Sequence, residues 1–120
     1  MSYLTYIASA YPIPQSKYLW PLYQGASDIY TEKHWIAEVI PELGDLEGFV
    51  DFLKSLPGET EIWRIWQGIE CRPVIRSLKL PVSRLRPDDV RALIEKDVFH
   101  ATATQYDLPV QYRMVLIPFE

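Results

Sequence analysis

The segment Glu59–Val82 constrains the fold most strongly because its pattern predicts two consecutive β-strands. In the first strand Ile62 and Trp66 alternate with Trp63 and Ile65, so each face carries large apolar side chains. β-Branched and aromatic residues favour strands, and burial on both faces is typical of a strand inside a sheet. We therefore place this strand, with the second strand of the segment as its neighbour, in the middle of the sheet.

The second strand of the segment has one polar face. Leu78 and Leu80 alternate with Ser77 and Lys79, a period-2 pattern that indicates a half-buried strand. The short connection Gly68–Pro73 carries Gly and Pro, which favour turns, so we predict that the two strands pair side by side in antiparallel fashion. Pro81 lacks a backbone donor and predicts either the end of this strand or an edge position.

The rest of the chain supplies further strands and two amphipathic helices. Asp45 is a suitable N-cap for the first helix, and Pro87 is a suitable first residue for the second. Val98–Gln105 either pairs with the last strand as a hairpin or leads irregularly into it. The expected elements are strands Ser2–Ala10 and Lys33–Ile40, helix Leu46–Leu56, a helix from Pro87 to near Lys96, and strand-like segments Val98–Gln105 and Val110–Phe119.

This element order predicts a single α+β domain over residues 1–120. From about residue 33 the order is βαββαβ, which is the ferredoxin-like split β-α-β sandwich. An extra N-terminal strand precedes this core, and a C-terminal strand extension follows it. Topology of this kind does not identify a function.

Composition excludes several classes of protein. The hydrophobic fraction of 48% and aromatic fraction of 13% are too high for a disordered chain. No apolar run approaches the ~20 residues that cross a bilayer, and the N-terminus lacks the basic segment of a signal peptide. The lone Cys71 fits a reducing compartment, so we expect a cytoplasmic protein without contact with a membrane.

Charge is distributed unevenly along the chain. The net charge is −4, but the segment 64–91 contains seven basic and three acidic residues, so the remainder carries −8. Such asymmetry indicates either a surface for an anion or acidic partner, or basic side chains that extend from exposed positions into water. Single-stranded nucleic-acid binding through this basic segment is one alternative. The acidic total charge and the absence of the RNA-recognition sequence pattern disfavour it.

No familiar catalytic or metal-binding motif is present. The glycine-rich phosphate loops and the G-x-S-x-G elbow are missing, and His34, Cys71 and His100 lack the close spacing of metal ligands. We predict no metal, no cofactor and no catalytic residue, and hence a protein that is not an enzyme. An enzyme that uses Cys71 with one of the histidines is the minor alternative.

The aromatic segment Tyr11–Tyr30 shows neither helical nor strand periodicity. Its rings either cap the core or form an interface, where Tyr and Trp are enriched. We predict a small binding or regulatory protein that recognises a protein partner or small molecule and is able to self-associate. An acidic inhibitor of a basic partner is one version of this hypothesis. The candidate binding residues are Tyr18, Trp20, Tyr23, Arg72 and Arg76.

Overall fold

The computed structural model describes residues 3–20, 29–66, 73–96 and 110–119. It shows an α+β domain with a five-stranded mixed sheet and two helices. None of the described helices has the length and hydropathy needed to cross a membrane. The elements are β1 (Tyr3–Ser9), β2 (Trp35–Glu38), α1 (Leu46–Ser55), β3 (Thr60–Trp66), β4 (Val74–Pro81), a 3₁₀ turn (Val82–Arg84), α2 (Pro87–Ile94) and β5 (Val110–Ile117).

The strands lie in the order β2-β1-β3-β5-β4. β1 pairs antiparallel with β2 and β3, and β5 pairs antiparallel with β3 and parallel with β4. The predicted central position of the first strand of Glu59–Val82 is confirmed, because β3 has neighbours on both sides. The predicted N-terminal strand also exists, but it lies inside the sheet between β2 and β3.

The predicted side-by-side antiparallel pairing within Glu59–Val82 is wrong, because β5 lies between β3 and β4. The predicted position of both strands in the middle of the sheet is also wrong for β4, which lies at an edge. Burial explains why β5, rather than β4, pairs with β3. β5 is largely buried on both faces, whereas the middle of β4, from Arg76 to Lys79, is exposed. The more apolar strand occupies the interior position, and the polar strand takes the edge. The strand order therefore does not confirm the ferredoxin-like topology. The edge position that Pro81 indicated for its strand is confirmed.

Both helices begin with the caps that the sequence predicts. The Asp45 side chain accepts a hydrogen bond from the Gly48 backbone N–H at 2.9 Å and caps α1. Pro87 opens α2, and the Asp89 side chain accepts from the Arg86 backbone N–H at 2.9 Å. These contacts satisfy backbone donors that a helix start otherwise leaves free. Of the predicted C-terminal strands, Val110–Phe119 is confirmed as β5, and Val98–Gln105 lies outside the described residues.

Hydrophobic clusters occupy both faces of the sheet. On one face the helices contribute Phe49, Leu53 and Val90 to a cluster that also contains Ile7 and Ile62 from the central strands. On the other face Trp63 is fully buried in a second cluster with Tyr6, Ala8, Ile29 and Ile65. Double-sided burial of β3 therefore fixes which face of every neighbouring strand turns toward the helices.

Candidate functional site

The segment 18–20 covers one edge of the sheet. Leu19 forms a bridge with Val39, the Trp20 N–H donates to the Glu38 carbonyl at 3.0 Å, and the Ile40 N–H donates to the Tyr18 carbonyl at 2.9 Å. These contacts extend the sheet beyond β2. Part of the predicted aromatic segment is thus an ordered cover for a sheet edge.

The two described aromatic candidates have different environments. Tyr18 is 9% exposed, packs edge to face against Phe49 with ring centres 5.6 Å apart, and donates a hydrogen bond to Asp45. Burial raises the pKa of the Tyr18 phenol, and the Asp45 hydrogen bond raises it further. Tyr18 therefore acts as a cap of the core, whereas Trp20 is 48% exposed. Tyr23 lies outside the described residues.

The predicted aromatic and basic candidates lie at opposite ends of the sheet. Arg76 belongs to the edge strand β4, while Trp20 flanks β2 at the other edge. With roughly 4.8 Å between neighbouring strands, five steps separate these positions by roughly 24 Å. The structure does not bring Trp20 and Arg76 into one surface, and Arg72 lies outside the described residues.

A groove of about 280 Å³ lies beside Arg76, between β4, β5 and α2. Its apolar wall includes Leu78, Leu93 and Met114, and its basic end carries Arg76 and Lys96. Strand parity accounts for this arrangement, since Arg76 and Leu78 are in register with Tyr112 and Met114 on the side that faces the helices. Leu93 lies in the last turn of α2, and Lys96 follows two residues after the helix end, where its backbone N–H donates to the Leu93 carbonyl at 3.1 Å.

The basic end of the groove is organised around the ring of Tyr112. Lys96 Nζ lies 5.2 Å from the centre of this ring, and Arg76 is the register partner of Tyr112 on β4. On the other side of β5, Tyr112 is in register with Arg64 of β3. Tyr112 therefore has a cation above its ring and an arginine in register with it on each neighbouring strand.

Among the described residues, no ion pair involves Arg64, Arg76 or Lys96. Arg64 is half-buried, donates from Nη1 to Thr5 Oγ1 at 3.1 Å, and lies 4.9 Å from the Tyr3 ring centre. Burial lowers the pKa of the Arg64 guanidinium, and the Tyr3 hydroxyl partly opposes this. The positive potential at this end suits an anionic group.

The acidic side chain in the groove has a structural role. Asp89 lines the groove, and its Oδ2 accepts the Arg86 backbone N–H at the start of α2. A carboxylate already engaged as a helix cap is a poor candidate for a general base. The groove thus combines an apolar wall with a cationic end.

A second polar network lies on the opposite face of the sheet. Glu61 is 5% exposed and accepts hydrogen bonds from Trp63 Nε1 at 2.9 Å and Thr31 Oγ1 at 2.6 Å. The Arg113 guanidinium lies 5.4 Å from the Trp63 ring centre, and its Nη1 is 3.9 Å from Glu61 Oε2. Trp63 is therefore enclosed rather than available to stack on a nucleic-acid base.

Of the other predicted chemical candidates, His34 lies among the described residues. Cys71 and His100 lie outside the described residues, and His34 is exposed before β2. Within the described ranges no group of three His, Cys, Asp or Glu side chains is arranged to hold a metal ion. The prediction of a Cys-dependent site stays a prediction.

Sequence reasoning identified Arg76 but missed Lys96 and Tyr112. Arg76 stood out in the basic segment, whereas Lys96 followed a helix end and Tyr112 lay in an ordinary strand pattern. Their common position depends on the parallel pairing of β4 with β5, which the local pattern did not indicate. In comparisons with family models, curated proteins and solved structures, no significant match to this chain is found.

Proposed function

We propose that the chain is a small, non-enzymatic, cytoplasmic binding protein whose ligand is an amphipathic organic acid. The ligand carries one carboxylate on an apolar, preferably aromatic, body. The observation that supports this most directly is the pair Arg76 and Lys96, which have no described acidic partner and flank Tyr112 at the end of an apolar groove. The groove also contains the basic residue Arg76 of the predicted binding set.

The groove chemistry assigns a role to each part of the ligand. The carboxylate lies between the Arg76 guanidinium and the Lys96 ammonium, where charge-assisted hydrogen bonds form. The apolar body lies along Leu93 and Met114, and its ring packs against Tyr112. A volume of about 280 Å³ is close to the lower end of the range for ligand pockets, which favours a small molecule.

Calorimetric titration with a matched pair of probes tests this proposal. The probes are 2-naphthoate and its neutral amide, which have the same ring system and differ in charge. We expect the acid to bind at least about tenfold more tightly, as the loss of a charge-assisted hydrogen bond implies. Equal affinity for the acid and the amide would contradict the proposal, as would the absence of acid binding at about 1 mM.

A pair of double variants with the same net charge locates the binding site. Arg76→Gln with Lys96→Gln removes the two groove cations that flank Tyr112, and we expect it to abolish the preference for the acid. Lys17→Gln with Lys54→Gln removes two exposed charges outside the groove and away from β4, and should leave the preference intact. Unchanged binding in the groove variant would place the site somewhere else. Circular dichroism verifies that both variants are folded.

A further inference from the structure

The two edge strands of the sheet differ in whether another part of the chain covers them. The β2 edge is covered by the chain itself, through the Leu19–Val39 bridge and the backbone hydrogen bonds beside it. The β4 edge is eight residues long and pairs with β5 on its inner side. Within the described part of the chain, no strand or bridge pairs with its outer side. β4 therefore presents a row of backbone donors and acceptors that another strand is able to use.

The side chains of β4 are suited to pairing with an identical strand. Leu78 is 59% exposed, an unusual position for a large aliphatic residue at a strand centre, and it lies between the exposed cations Arg76 and Lys79. Charged residues often protect an edge from association. Here they fall on opposite faces of the strand, because positions 76 and 79 differ by an odd number. Neither face of β4 carries two cations.

We propose that a second copy of this chain pairs its β4 antiparallel with the first, about a two-fold axis perpendicular to the sheet and centred on Leu78. This register places Leu78 opposite its own counterpart, Arg76 opposite Leu80, and Ser77 opposite Lys79. Each cation then meets an uncharged residue, which avoids the destabilising contact of like charges across strands. The result is a closed, isologous dimer with one continuous sheet and all helices on the same face.

Alternative registers match the side chains less well. An axis at Arg76 or Lys79 would place each of these cations directly against its own copy, and like charges in that position are destabilising. An axis at Ser77 would avoid this repulsion but would put the exposed Leu78 opposite Arg76. The Leu78 axis pairs the most exposed aliphatic side chain of the strand with another apolar group. The register is thus selected by the charge pattern and by Leu78 together.

The dimer also changes the groove beside β4. Arg76 and Leu78 line the groove, and in the proposed register Leu80 of the second copy lies next to Arg76. The second copy therefore contributes an apolar side chain to the outer wall of the site. This consequence for the groove rests on the proposed function, whereas the strand pairing itself rests on the edge alone.

Sedimentation velocity with two single variants tests the assembly. We expect the wild-type chain to form a dimer, and Leu78→Asp to raise its dissociation constant at least about tenfold, because two carboxylates would then face each other. Trp20→Asp makes a similar exposed hydrophobic-to-acid change at the opposite sheet edge and should leave the dimer intact. A wild-type monomer at about 1 mM chain, or an intact Leu78→Asp dimer, would overturn the proposal.

Cysteine cross-linking tests the register. In a Cys71→Ser background, Leu78→Cys places two thiols directly opposite each other, within the Cα separation that a disulfide requires. Leu80→Cys is the control, since its two copies would be offset by four residues, or roughly 13 Å, along the strands. We expect mild oxidation to give a covalent dimer for position 78 but not for position 80. The reverse result would refute this register.

The assembly and ligand proposals fail independently. Sedimentation of the unliganded chain reports the dimer whatever the titrations with 2-naphthoate show. Loss of acid selectivity in the Arg76→Gln, Lys96→Gln variant is read against the amide probe in the same variant, so the assembly state is the same for both probes. A monomeric chain that binds the acid would therefore reject only the dimer.

Discussion

The Tyr18 hydroxyl donates a hydrogen bond to Asp45 Oδ2 at 3.0 Å, while the other carboxylate oxygen of Asp45 accepts from the Gly48 backbone N–H at 2.9 Å. One side chain thus joins the sheet-edge segment 18–20 to the start of α1. The backbone hydrogen bond from Gly48, followed by that from Tyr18, lowers the pKa of Asp45. This double role makes the helix start sensitive to acid.

Asp45→Asn should remove the acid-sensitive part of this contact. Asparagine caps helices about as well as aspartate, so the variant differs mainly in charge. A carboxyl group whose folded pKa lies below its unfolded pKa contributes stability above the unfolded pKa and loses it as pH falls through the folded pKa. We therefore expect the wild type to be more stable than the variant at about pH 6, with the difference decreasing toward about pH 2.

Urea unfolding of both proteins across this pH range measures the difference. Tyr18→Phe provides a control that keeps the Asp45 carboxylate and its hydrogen bond from Gly48 but removes the phenolic donor. In the folded Tyr18→Phe variant, the pKa of Asp45 should rise toward the ordinary value of an aspartate but remain below it. A stability difference between wild type and Asp45→Asn that does not change with pH would contradict the assignment.

Glu61→Ala should destabilise the fold strongly. The substitution leaves the buried Trp63 indole N–H without its acceptor and the Arg113 guanidinium without its nearest carboxylate. Loss of one partner of a buried network costs about 3–5 kcal/mol, and because the Arg113 side chain is 29% exposed we expect about 2–4 kcal/mol. Urea denaturation at neutral pH provides the free energy of unfolding.

Glu59→Ala is the matched control for this prediction. Glu59 also binds a cation, Lys33, at 3.3 Å, but its side chain is 41% exposed. Exposed ion pairs contribute about 0–1 kcal/mol, so the control should lose far less stability than Glu61→Ala. Similar losses in the two variants would show that burial of Glu61 has no special role.

Gly58→Ala should destabilise the turn that follows α1. Gly58 has a φ of 70°, in the left-handed region, and a Cβ added there would lie 2.5 Å from Cε2 of Tyr11. The backbone conformation alone costs about 1–2 kcal/mol for a residue with a side chain, and displacement of the Tyr11 ring adds to this. Thermal denaturation should show a lower melting temperature than that of the wild type.

Gly44→Ala tests whether the effect is specific to position 58. A Cβ at Gly44 would meet no heavy atom within 4 Å, so the change should stay within about 0.5 kcal/mol of wild type. If Gly44→Ala lost as much stability as Gly58→Ala, the backbone conformation and the Tyr11 contact at position 58 would not explain the effect.

The helices and strands that could be predicted are those whose sequence patterns involve only neighbouring residues. Asp45 and Pro87 mark helix starts through capping chemistry, and the observed α1 ends within one residue of the predicted boundary at Leu56. The double-sided apolar pattern around Trp63 correctly placed β3 inside the sheet. Each of these predictions depends only on residues that are close together in the sequence.

The strand order and the groove could not be predicted in the same way. Whether β4 or β5 lies next to β3 depends on which strand buries more apolar surface, and this is a competition between segments distant in sequence. The buried polar residue Gln111 weakens the hydrophobic pattern of β5, although the strand lies in the interior of the sheet. Tyr112 and Lys96 become parts of a site only after that competition is decided.

Insertion of β5 between β3 and β4 has a consequence for folding during synthesis. The three-stranded unit β2-β1-β3 is able to form once residues through Trp66 have left the ribosome, but its open side must wait for a strand made some fifty residues later. During that interval the backbone groups of β3 that β5 will later engage are unpaired. We expect nascent chains that stop before Val110 to require chaperone protection, and to be released from it when β5 joins the sheet.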